Sequence, residues 1–279
     1  MTELKYETLS DVRKSVTRGI PKGTEELEWV SNTATLIYGN QDAVLIDTFM
    51  TKDANLKLVD WIKGFDVNLK YIYITHAHSD HFFGTGIIKD AFPNVKIIAT
   101  QETADGLPSI IMPAMLKTVW QNLFPNQIPE KIHLVDELVD GRFYLEDEEI
   151  KIVKDGFTDT HDSTSLWIPS LGLIVAGDAT YNGVHPFMAE TTQRARENWI
   201  NVNEELSSLN PKYVVAGHKN PDLDDNPKIL LETAEYIRTF NNLSKIANSA
   251  EELYKEMLEK YPTRINPGSL WGVSNSTIR

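Results

Sequence analysis

The chain has 279 residues, 41% of them hydrophobic and 24% charged, which suffices for one large or two small folded domains and excludes wholesale disorder. A formal net charge of −13 opposes non-specific binding to nucleic acid or anionic lipid. With no cysteine, disulfides and thiolate metal sites are excluded, and any metal must be held by His and carboxylate groups.

Met1 to Ser15 is charged and polar, without an apolar signal core, and no apolar run approaches the length of a membrane span. A cytoplasmic protein is the expectation. Trp29 to Tyr38 (WVSNTATLIY) reads as a strand, Gly39 to Asp42 as a hairpin-type turn, and Ala43 to Ile46 as a short buried strand. Lys52 to Phe65 carries Leu56, Leu58, Val59 and Ile62 at helical spacing and ends near Gly64. Tyr71 to Ile74 is a buried strand, His81 to Phe92 a helix, and Val95 to Ala99 a strand. Gly106 to Pro129 is apolar and helical but interrupted by Pro108, Pro113 and Pro125. Strands are expected at 131–135, 142–145 and 149–153, and a hairpin from 166–168 and 173–176. A helix over 195–209 precedes a last buried strand at 213–216. One or two helices fill 227–260, and 261–279 reads as irregular. Strand-rich halves, each followed by helices, suggest two packed sheets with helices outside. One domain over 1–279 is expected, with an apolar helical insert at about 105–130 and a helical C-terminal extension at about 227–279.

The chain holds seven histidines, and three of them crowd into Ile74 to His81, ITHAHSDH. Alternate residues of an extended segment point the same way, so His76 and His78 can share one ion. Asp80 and His81 lie just past them, where the chain turns, and can face a second ion. His161 (GFTDTHDSTS), Asp178 (LIVAGDATY) and His218 (YVVAGHKNP) each follow a strand directly, and Gly177 and Gly217 allow a tight turn at the last two.

The pattern HAHSDH followed by His161, Asp178 and His218 resembles the metallo-β-lactamase superfamily over about Trp29 to Lys219. The resemblance implies an α+β fold, a four-layer αβ/βα sandwich with the metal site at the strand ends between the sheets. It implies that His76, His78 and His161 hold one divalent ion, that Asp80, His81 and His218 hold another, and that Asp178 bridges them. Asp47, in AVLIDT, resembles the family aspartate that steadies the His-rich loop. A thiolate-free donor set suits zinc, the first choice, but also manganese, iron or cobalt. Two ions sharing a hydroxide imply hydrolysis at a carbonyl, with Asp80 at the reacting centre and no Ser or Cys nucleophile.

A lactone or carboxylic ester is the leading substrate expectation. Tyr181 stands three residues after Asp178 and resembles the Tyr shortly after the bridging Asp in the lactonase branch, which implies a catalytic role, a hydrogen bond to the substrate carbonyl or leaving oxygen. His185, Met112 and Trp120 are further candidates for substrate contact, and the apolar 110–124 stretch for a pocket wall or a homodimer contact. A β-lactam, a thioester or a small phosphoester is the alternative, and a non-catalytic metal-binding or sensor module the alternative of another class. The partner expected is a small molecule, with neither nucleic acid nor membrane. The third histidine departs from the family's usual Gly-His-Thr pattern, since Thr160 precedes it and Asp162 follows it.

Overall fold

A computed structural model describes residues 3–14 and 28–278. The first sheet has the order β1-β2-β3-β4-β5-β6. Its strands are β1 (Lys5–Lys14), β2 (Glu28–Tyr38), β3 (Asp42–Ile46), β4 (Asn68–Tyr73), β5 (Lys96–Ala99) and β6 (Glu137–Leu138). β1, β2 and β3 run antiparallel, and β3 to β6 run parallel. The parallel crossovers are α1 (Lys52–Lys63), the short α2 (Ser79–Phe82) with α3 (Thr85–Ala91), and α4 (Gln101–Ile110) with the broken helical stretch behind it.

The second sheet has the order β12-β10-β9-β8-β7, from β7 (Arg142–Leu145), β8 (Glu148–Gly156), β9 (Ser163–Ile168), β10 (Leu173–Val175) and β12 (Tyr213–Val215). A two-stranded ribbon pairs β11 (Tyr181–Asn182) with β13 (His218–Lys219). Helix α7 (Gln193–Ser208) and helices α8 (Lys228–Leu243), α9 (Ala250–Lys260) and α10 (Pro267–Thr277) cover this half.

The two-residue period of the strands sorts the core. Ile37, Val44, Ile46, Tyr73 and Ile98 pack between the sheets with Phe143, Leu145, Ile150, Leu166 and Ile168. Their chain neighbours Leu36, Leu45, Ile72 and Ile97 pack instead with Leu58, Ile62, Ile88 and Leu107 of α1, α3 and α4. On the other outer face, Ile174 and Val214 pack with Val202, Leu206, Ile229 and Leu230 of α7 and α8. The layers run helix, sheet, sheet, helix, as expected for the αβ/βα sandwich. Each fully buried Leu or Ile contributes about 1.5–3 kcal/mol, so strand register, which sets these faces, is strongly specified.

Four expectations change. Lys5–Lys14 is a strand, read from sequence only as a polar terminus. Residues 131–135 form no strand; the amide of His133 donates to Thr85 Oγ1, and pairing resumes only at β6. The helix expected over His81 to Phe92 is split into α2 and α3 at Phe83 and Gly84. Part of the supposedly irregular tail is α10, with Pro267 in its first turn and Leu270 and Val273 buried. The broken apolar stretch is helical in pieces: α4, α5 (Pro113–Met115), a π-helical turn Leu116–Trp120, and α6 (Gln121–Leu123).

Candidate metal centre

The parallel arrangement brings several strand ends to one rim. β4 delivers Thr75, His76 and His78, and α2 starts at once to carry Asp80 and His81. The turn after β10 carries Asp178, and β13 begins with His218. Gly177 has φ +48°, and a Cβ there would meet Thr75 Oγ1 at 2.9 Å; a Cβ at Gly217 would collide with Asp178 Oδ1. Both glycines let backbone and ligand loops approach closely.

Among the described residues, two groups of side chains could each hold a metal ion: His76, His78, Asp159 and Asp178, and Asp80, His81 and His218. His78 Nδ1 lies 2.9 Å from Asp159 Oδ2, and His76 Nε2 lies 3.7 Å from that oxygen and 3.9 Å from Asp178 Oδ2. On the other side, His81 Nε2 is 3.4 Å from Asp178 Oδ1, while His218 Nε2 is 2.9 Å from Asp178 Oδ2 and 3.8 Å from Asp80 Oδ2. Asp178 therefore touches members of both groups.

The far side of each ring is fixed. His218 Nδ1 donates to the Ser31 carbonyl at 2.7 Å, and His81 Nδ1 donates to Asp47 Oδ2 at 2.8 Å. The Thr75 hydroxyl donates to Asp47 Oδ2 at 2.7 Å, so it accepts from His76 Nδ1 at 2.9 Å. Asp47, at φ +60°, also accepts from the Thr75 amide at 2.9 Å. These bonds turn the Nε2 atoms of His76, His81 and His218 inward. His78 turns the other way, with Nδ1 inward and Nε2 3.3 Å from Glu190 Oε1.

The donor set fits divalent ions. His76 Nε2, His81 Nε2, Asp159 Oδ2 and Asp178 Oδ1 are buried and have no hydrogen-bond partner, an arrangement costly for polar atoms unless a cation is to be met. The local field agrees. Burial opposes ionisation of Asp80, yet His81 and His218 hold its carboxyl well below the usual range. Burial likewise opposes charge on His81, but Asp178, Asp47 and Asp80 lift it to about 10. Burial and then His81 push His76 down. Such a cluster of buried carboxylates and imidazoles could hold a cation.

His161, expected as the third ligand of the first group, is a correction. It is exposed, its ring lies 4.0 Å from that of Phe157, and it lines a separate cavity of about 590 Å³ with Glu190, Thr192 and Arg194. Gly156 (φ +69°) and Asp162 (φ +57°) bend the β8–β9 loop so that Asp159, with no exposed surface, points inward in its place. The usable signal is Thr160: a Gly-His-Thr pattern anchored on that threonine falls on Asp159, two residues before His161.

Tyr181 is corrected as a substrate contact. Its ring is buried beside His218, and its hydroxyl donates to Asp178 Oδ2 at 2.8 Å, so it positions that carboxylate. His185 lies away from the cluster, buried with Nδ1 2.8 Å from the Tyr236 hydroxyl; burial and the nearby Arg264 push its pKa down to about 3. Met112, just before Pro113, is 51% exposed and lines no part of the site cavity. Trp120 does line it.

That cavity, about 400 Å³, opens over the cluster. His78, Asp80, Asp178 and His218 form its polar floor; Ile110, Met115, Val119, Trp120 and Phe187 form an apolar wall. The π-helical turn places Val119 and Trp120 there, with Trp120 edge-on to buried Phe83 at 6.0 Å. Glu190 and Phe187, from the loop before α7, were not singled out in the sequence; nothing short of the folded loop marks them.

A buried His/Asp cluster at strand ends between two sheets, under an apolar cavity, defines an αβ/βα metal-site protein. The chain belongs to the metallo-beta-lactamase superfamily, whose family model matches residues 27–218. Members of that superfamily are mostly metal-dependent hydrolases. Among solved structures the chain is similar to a metallo-beta-lactamase from Pontibacter korlensis, at 16% identity and TM-score 0.61, over 85% of this chain and 99% of that one. It is also similar to a metallo-beta-lactamase family protein from Thermus thermophilus, at 17% identity and TM-score 0.62, over 96% and 91%. At such identities the likeness shows the fold alone. Among the described residues no helix is long and apolar enough to cross a membrane.

Proposed function

We propose that the protein is a metal-dependent hydrolase acting on a carboxylic ester or lactone with an apolar arm. The observation that carries this reading is the convergence of unpartnered, buried His and Asp donor atoms on the floor of a cavity whose wall is apolar. Divalent ions held by His76, His78, Asp159, Asp178, Asp80, His81 and His218 would supply an activated water and a Lewis acid at the carbonyl.

The chain's own groups do the rest. Asp47 and Thr75 lock the rings of His76 and His81, and Tyr181 anchors Asp178 through Oδ2. Asp80 lines the cavity and faces His218, which places its carboxylate at the cavity floor, where it can accept a hydrogen bond from the attacking water and orient it. Ile110, Val119, Trp120 and Phe187 seat the apolar arm and exclude water from the reacting carbonyl.

The test is a panel of lactones, esters, thioesters, β-lactams and phosphodiesters, run on metal-loaded protein with Asp178→Ala as the control. The expected result is turnover of an ester or lactone that Asp178→Ala abolishes while remaining folded. Turnover confined to another bond class would reassign the substrate. A metal-loaded protein inert across the panel would favour a sensor.

A further inference from the structure

Asp159 stands where the family pattern led to an imidazole. Its Oδ1 accepts from Thr158 Oγ1 at 3.0 Å, which turns Oδ2 inward. Oδ2 is buried, lacks a hydrogen-bond partner, and lies 2.9 Å from His78 Nδ1 and 3.7 Å from His76 Nε2. No other described His, Asp or Glu joins these two imidazoles except Asp178.

Resting on the reading of this cluster as a metal site, we propose that Asp159 is a ligand of the first ion and biases that position away from zinc towards a harder divalent ion, manganese(II). With His161 turned outward, the donors are two imidazole nitrogens and two carboxylates. The expected set had three imidazoles and one carboxylate. Imidazole suits zinc, copper and iron, whereas carboxylate oxygen suits manganese and other hard ions, so each exchange of nitrogen for oxygen narrows zinc's advantage. Asp159 also adds a negative charge to the pair of sites, and a further carboxylate, Glu190, lies 3.3 Å from Nε2 on the far side of the His78 ring. That charge favours retention of both ions and lowers their pull on a bound water.

The competing role for Asp159 is a simple ion pair with protonated His78, and metal binding separates the two. Chelator-stripped full-length protein, wild type and the variants Asp159→His, Asp159→Glu and Asp159→Asn, is titrated with Mn²⁺ and with Zn²⁺ by calorimetry against a competing chelator. Circular dichroism monitors the fold. The expected result is that Asp159→His raises the preference for Zn²⁺ over Mn²⁺ by about tenfold or more, while Asp159→Glu keeps the wild-type ratio. Asp159→Asn should lose one of the bound ions with the fold intact. An unchanged ratio in Asp159→His, or Asp159→Asn retaining every ion, overturns the proposal and leaves the hydrolase reading standing. Wild-type protein that binds neither ion overturns both.

Discussion

The Asp47 carboxylate makes three hydrogen bonds, and each reaches the His-rich loop: one to the Thr75 amide, one to the Thr75 hydroxyl and one to His81. Through them it orients His81 directly and His76 by way of Thr75. Replacement by Ala should weaken metal binding by about 10- to 100-fold while the sheets remain folded, measured by chelator competition; unchanged affinity would mean that the rings are held by packing alone. Asp155, on β8, gives a prediction of another kind. Burial pushes its carboxyl up to about 8, with Ser165 Oγ donating to it at 2.7 Å. Since the folded pKa exceeds the unfolded one of roughly 4, its contribution to stability is complete below pH 4 or so and is lost as pH rises to about 8. Asp155→Asn removes that loss. Its stability relative to wild type should therefore rise between pH 5 and pH 8, by on the order of a few kcal/mol in urea melts; a pH-independent difference would contradict the buried neutral acid. At this scale the sequence was legible in where the side chains gather: the structure brings the rigid run His76 to His81 together with Asp178 and His218 at their strand ends, as expected. It misled at His161, because two positive-φ residues in the β8–β9 loop decide which polar residue faces inward, and the pattern of polar residues does not encode that choice.

At the scale of elements, β-strands with one face in each core were legible because their apolar residues alternate, as Leu36/Ile37 and Ile97/Ile98 do. Residues 131–135 look the same in sequence, yet they join no ladder, and the amide and carbonyl of His133 bond to Thr85 Oγ1 instead. Helix α10 was illegible because it is short and rich in Gly, Ser and Asn; burial of Leu270 and Val273 against the helices around it holds it. The turn after β10 is an element with a narrow tolerance. Gly177→Ala must strain a left-handed φ of +48° and crowd Thr75 Oγ1, so it should cost about 1–3 kcal/mol in stability and weaken metal binding together. Loss of stability alone would separate the turn from the site. The π-helical turn is tied to specificity: Trp120→Ala enlarges the cavity's apolar wall and should shift preference towards esters with longer acyl chains, read as the ratio of kcat/KM for long over short substrates. An unchanged ratio would return Trp120 to packing.

Over the whole molecule, the two sheets meet at the site as well as in the core. Thr164 of β9 donates through its amide and hydroxyl to the Thr75 carbonyl at 3.0 and 2.7 Å, and the Thr33 amide donates to the Gly217 carbonyl at 2.7 Å. The clustered His and Asp side chains come from both halves: His76 to His81 follow the first sheet, and Asp159, Asp178 and His218 follow strands of the second or belong to its ribbon. Ions bound there would join the halves. Removing metal should thus lower the Tm and restoring it raise it, with about 2.7 kcal/mol gained at a free-metal concentration a hundred times Kd. The sandwich was legible from the strand-rich halves because layer packing follows from element pattern. The cavity was legible in part: Ile110, Met115, Val119 and Trp120 of the 110–124 stretch line it, as a pocket wall was expected to, but Phe187 and the polar floor come from segments far apart in the chain. The most direct test of a metal-dependent hydrolase is hydrolysis of an ester or lactone followed while divalent metal is titrated into chelator-stripped protein. The expected outcome is no turnover without metal and a rate that rises to a plateau as the His/Asp cluster fills. Turnover in the stripped protein, or metal uptake that leaves the rate at zero across the substrate panel, would contradict it.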